Sequence, residues 1–131
     1  MNELDLTFAR IRYEDPVIFI IFKEGAELGT EQVLELIAIS EKFSNYQPYL
    51  LFSDARVFLN ITAEARKISA SKEKAPLVKA NAVMVNNVAI RLTGNVFINF
   101  NKPHFPVRLF EDEKKAMEWL LKHTIYNSSA V

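Results

Sequence analysis

"LLFSDARVFLNITAEAR", residues 50–66, starts as an apolar strand and ends as the first turn of a helix. The segment "YLLFSD" (49–54) reads as a buried strand that stops at Asp54. Thr62 then stands before "AEAR", with Glu64 in the first turn, the pattern of a capped helix start. A strand that hands over to a helix through a short connection is the repeating unit of a mainly parallel sheet. The fold therefore depends on whether that unit recurs on either side.

Upstream, "LDLTFARIRY" (4–13) alternates apolar and polar residues with a slip near Ala9, which predicts a half-buried edge strand carrying a bulge. "EDP" turns the chain into "VIFIIFK" (17–23), apolar throughout and so covered on both faces. So tight a connection makes these two strands antiparallel. "EGAELGT" reads as a loop, with Thr30 as the N-cap of a helix reaching about Phe43. Val33, Leu36, Ile37, Ser40 and Phe43 share one face of that helix.

Downstream, the helix opened at Thr62 is expected to stop at Pro76, tethered by a thin stripe of Ala65 and Ile68. "ANAVMVN" (80–86) is a further buried strand. "NVAIRLTGNVFINFN" (87–101) suits a strand by composition and a helix by the spacing of Val88, Leu92 and Val96. Asn86-Asn87 before it and "NKP" after it favour the helix. "FPVRLF" (105–110) is the last strand, and Asp112 caps a helix whose apolar face is Ala116, Met117, Leu120 and Leu121. The order is β-β-α-β-α-β-α-β-α: one α/β domain over residues 1–131, a mainly parallel sheet with an antiparallel N-terminal strand and about four helices.

Composition narrows function. Half the residues are hydrophobic and 24% are charged, the balance of a globular chain with a proper core. Sixteen Lys and Arg balance sixteen Asp and Glu, and no basic stripe is present, which argues against nucleic acid. The absence of Cys excludes disulfides, thiolate metal sites and Cys nucleophiles. "VIFIIF" is far short of the roughly 20 apolar residues of a membrane span, and the charged start is no signal peptide, so the expected location is cytoplasmic.

With this order of elements, a set of motifs carries a resemblance. They are the strand ending in Asp54, the helix opening Thr62-Ala63-Glu64-Ala65-Arg66, Ala82 to Asn86, and Arg91 to Phe97. Asn101-Lys102-Pro103, Pro106 to Phe110 and Ala116 to Leu120 complete it. The chain resembles STAS-like, or SpoIIAA-like, domains, and more closely a small family of such domains common in Bacteroidota. The resemblance implies a fold more than an activity. In regulatory STAS domains a Ser or Thr at the start of the second helix is phosphorylated, which switches binding to a kinase-like partner. That places Thr62 as the candidate acceptor or anion site, with Asn60 and Arg66 beside it. Here "NIT" stands where those domains have an Asp-Ser-Ser-Gly-like turn, and the Gly is missing. Distant relatives are compared with lipid-binding domains, which adds a small apolar ligand to the expectations.

Each candidate has a plainer role beside it. Thr62 as a simple N-cap is the commoner one. Asp54 and Arg56, with Asn86 and Asn87 after the neighbouring strand, mark the carboxyl edge where open parallel sheets bind ligands. Asp54 is equally suited to an Asx turn or a pair with a nearby Arg. Leu92, Val96, Phe97 and Phe100 lie in a segment with more apolar surface than one sheet face covers, which suggests an interface or an apolar pocket. Burial by neighbouring elements explains that segment as readily. His104 and His123 lack further ligands at metal spacing, and no nucleophile motif or phosphate loop is present.

The leading expectation is a non-enzymatic interaction module without cofactor or metal, partnered by another protein or by a second copy in a homodimer. The alternative is a domain that binds a small apolar ligand or lipid beneath the 88–101 segment.

Overall fold

In the computed structural model, which describes residues 2–87 and 102–123, the strand at 49–54 lies inside a six-stranded sheet. That sheet comprises β1 (Glu3–Asp5), β2 (Ala9–Glu14), β3 (Val17–Phe22), β5 (Tyr49–Asp54), β7 (Val78–Met84) and β8 (Val107–Phe110), adjacent in that order. β1, β2 and β3 pair antiparallel, and β3, β5, β7 and β8 pair parallel. A separate two-stranded parallel sheet joins β4 (Ala26–Leu28) to β6 (Leu59–Ile61). Three helices are described: α1 (Thr30–Phe43), α2 (Ala63–Ser69) and α3 (Glu113–Leu121). None of the described helices is long and apolar enough to cross a membrane.

The continuously apolar strands are covered on both faces, as their composition demands. On one face Val17, Leu50, Phe52, Ala80, Ala82 and Met84 pack under Ala116 and Leu120 of α3. Small Ala80 and Ala82 let that helix approach the sheet. The other face carries Ile18, Ile20, Tyr49 and Val78 toward α1, where Leu36 is buried. A register shift beside Tyr49 skips Lys79, so that Val78 serves the α1 face and Ala80 the α3 face. Fully burying a side chain the size of Leu50 or Ile18 stabilises the fold by about 1.5–3 kcal/mol.

Several boundaries differ from the sequence reading. The single bulged strand at 4–13 is the hairpin β1–β2, turned through Leu6, Thr7 and Phe8, with Leu6 N–H donating to Ala9 O at 2.8 Å. The slip near Ala9 was the start of a second strand. "EGAELGT" contains β4, and the connection after Asp54 contains β6; neither short strand was expected. Gly29 rather than Thr30 is the N-cap of α1, and the Gln32 side chain accepts from its N–H at 2.9 Å. α2 ends at Ser69, short of Pro76, because its apolar stripe is too thin to hold a longer helix and Ser71 starts a turn. β7 runs over 78–84 rather than 80–86, and β8 begins at Val107. Asp112 caps α3 as expected, accepting from Lys114 N and Lys115 N. The helix expected over 88–101, which would be the fourth, lies outside the described residues, and Leu92, Val96, Phe97 and Phe100 with it.

Candidate functional site

Among the described residues, the α1 face of the sheet is only partly covered. A cavity of about 830 Å³ lies between it, the two helices α1 and α2, and the β4–β6 pair. This is within the size range of small-molecule sites, roughly 300–1,000 Å³. Its floor is Ile20, Leu51, Val83 and Leu109, side chains that the strand register places on one face. α1 contributes Val33, Leu36 and Ile37. Leu28, Leu59 and Ile61 of the short sheet close it from a third side, followed by Phe58, whose surface is 70% exposed. The cavity reaches the carboxyl ends of β5 and β7 through Ala55, Val85 and Asn86, the edge where parallel sheets bind ligands.

Polar groups in this lining are few and placed. Ser53 and Asn81 sit side by side on the floor, Ser53 Oγ donating to Asn81 Oδ1 at 2.9 Å. Ser40 donates to Leu36 O at 2.7 Å. Tyr49 is 1% exposed, and burial first, with the Glu41 charge second, holds its hydroxyl protonated well above the usual range. Arg66, half-buried on α2, lines the cavity and donates from Nη1 to Ile61 O at 3.0 Å. Among the described lining residues Arg66 carries the only formal charge, and there is no His, Asp or Glu.

The other residues singled out by sequence fall elsewhere. Thr62 Oγ1 accepts from Ala65 N at 3.1 Å and so caps α2; Thr62 and Asn60 are exposed. Asp54 and Arg56 form a bidentate pair, Nε to Oδ1 at 3.0 Å and Nη2 to Oδ2 at 2.8 Å. Arg56 N–H adds an Asx turn to Oδ1, and Nη2 also reaches Glu113 Oε2 at 3.2 Å. The Arg56 hydrogen bond holds the Asp54 carboxyl below its ordinary value, against the opposing effect of burial. The pair ties the end of β5 to the start of α3. Asn86 lines the cavity, whereas Asp54, Arg56 and Asn87 do not. His104 Nε2 lies 2.7 Å from Ala75 O and His123 Nδ1 3.1 Å from Trp119 O. No group of three potential metal ligands occurs among the described residues.

Sequence reasoning did not single out Ser53, Asn81 or Tyr49. The available signal was a polar residue inside each of two apolar strands, "YLLFSD" and "VKANAVM".

No curated protein matches the chain. A crystal structure of an uncharacterized protein from Shewanella loihica PV-4, of the DUF3478 family with a SpoIIAA-like fold, is similar at a TM-score of 0.56 and 18% identity. The likeness covers 86% of this chain and 91% of that one and establishes the SpoIIAA-like fold. A model of the family described as a domain of unknown function, DUF7793, matches residues 11–124, and the chain belongs to that family.

Proposed function

We propose that this domain is a non-enzymatic binding module that holds a small, mainly apolar ligand between the sheet, α1, α2 and the β4–β6 pair. The observation that carries the reading is the cavity of about 830 Å³ with its apolar floor. A concave, mainly apolar space of this size is the usual setting of a small-molecule site. Binding fits better than catalysis because the described lining offers hydroxyls without an adjacent base. The cavity lies under α1 and α2; the sequence reading put its apolar pocket beneath the 88–101 segment, which lies outside the described residues.

The test uses the uncharged dye Nile Red. Its fluorescence should rise on binding the wild type and stay low with Val83→Trp, which fills the floor. Equal signals from the two proteins would refute the reading.

A second reading, an interaction module meeting another protein or a second copy, is supported by the exposed ring of Phe58 beside the short sheet. Sedimentation tests it for self-association: wild type should form a dimer and Phe58→Ser a monomer, and a monomeric wild type removes the homodimer.

A further inference from the structure

We infer that the seam between β4 and β6 is the door of the cavity, and that the ligand enters and leaves by parting these two strands. The inference rests on the binding reading above and adds the route to the site.

The pair is small and stands alone. Ala26, Glu27 and Leu28 lie beside Leu59, Asn60 and Ile61, with no third strand to support them. A two-stranded pair is marginally stable by itself, so this is the part of the wall that opens at least cost. Its side chains Leu28, Leu59 and Ile61 line the cavity, so a gap between the strands is a gap into the site.

The bonds around the seam close the seam itself. Gly25 N–H donates to Phe58 O at 2.7 Å, and Thr62 N–H to Leu28 O at 3.0 Å. Phe58 N–H donates to the Glu24 carboxylate, at Oε2, across 3.0 Å. Among the described residues, no hydrogen bond joins β4 or β6 to the six-stranded sheet. β4 can swing because a glycine stands at each of its ends: Gly25 and Gly29 are two of the three in the chain. Gly25 has a φ of +81° and open space where a side chain would stand.

Phe58 marks the outer end of the route. It lines the cavity and is 70% exposed, so apolar surface runs from solvent to the interior beside β6. An apolar ligand meets a landing place next to the door.

Glu27 and Asn60 are exposed, face each other across the seam and lie outside the cavity lining. Glu27→Cys with Asn60→Cys puts two cysteines in a chain that has no other, at the spacing a disulfide spans. Stopped-flow fluorescence reads the release of Nile Red from the oxidised and the reduced forms of this one protein. Oxidation should slow release by about tenfold or more and leave the equilibrium affinity nearly unchanged, because a shut door obstructs entry and exit alike. Glu24→Ala, which removes the bond from Phe58, should speed release by roughly two- to tenfold. Equal rates from the oxidised and reduced forms would overturn the seam as the route and leave the cavity reading standing. No rise in Nile Red fluorescence with the wild type would remove both. If the double variant does not fold, Glu24→Ala decides alone, and release at the wild-type rate overturns the proposal.

Discussion

The Ser53 hydroxyl donates to the Asn81 side-chain oxygen across 2.9 Å, linking β5 to β7 on the face that floors the cavity. Both strands are interior to the sheet, and the neighbouring cavity-facing positions Leu51 and Val83 are apolar. A polar pair there does little for packing that Val and Leu would not do better.

Ser53→Ala alone should therefore cost about 1 kcal/mol, because Asn81 loses its donor. Ser53→Val combined with Asn81→Leu should cost less than the two single changes added together. Urea denaturation of the four proteins measures this. Strict additivity would show that the pair does not act as a unit.

Enlarging a residue in a close-packed core costs about 1–3 kcal/mol. Val83 faces open volume instead. Val83→Trp should cost less than about 1 kcal/mol, or raise the melting temperature, while removing ligand binding. A loss of several kcal/mol in thermal unfolding would mean that the space does not exist in solution.

The Asp54–Arg56 pair should give stability a defined pH dependence. The Arg56 hydrogen bond holds the folded carboxyl below its ordinary 3.8. A lowered folded value means that the contribution is fully present above the unfolded value and is lost as pH falls through the folded one. Asp54→Asn should cost about 1 kcal/mol at neutral pH, since the pair is partly exposed. The gap to wild type should close below about pH 4. A gap that persists unchanged at pH 3 (roughly one unit below the ordinary Asp value) would assign the loss to packing instead.

Thr62 caps a seven-residue helix with one side-chain bond. Thr62→Ala should cost about 1 kcal/mol, whereas Thr62→Asp should be close to neutral because Asp caps as well and suits the helix dipole. Chemical denaturation separates the two. An equal loss in both variants would point to a role of the methyl group rather than of the oxygen.

Where a segment announces itself locally, sequence reading located it. "YLLFSD" is apolar enough to demand two covered faces, and Asp112 before a periodic run marks a helix start. "AEL" and "LNI" do not announce themselves: each is three residues long, and each is a strand because the other lies beside it. β1 and β2 were read as one strand because Leu6-Thr7-Phe8 turns the chain without Gly or Pro. The polar seam from Asp54 to Thr62 was visible as a cluster, and so were its plainer partners, a nearby Arg for Asp54 and the helix backbone for Thr62. In the fold Asp54 is taken up by Arg56, and Thr62 by the backbone of α2. An unfilled volume has no signature in any one residue, since it is the shortfall of many side chains meeting across elements far apart in the chain. Only Ser53 and Asn81, polar within apolar strands, hinted at it.

The β4–β6 pair shares no strand with the main sheet. Its two strands bracket α1 and β5 in the chain, so their pairing closes that whole stretch into a ring. Changes of side chain in β4 or β6 would resize the enclosed space and leave the six-stranded framework as it is. The domain thus separates the residues that must stay constant to fold from those that can vary with the size of the cavity.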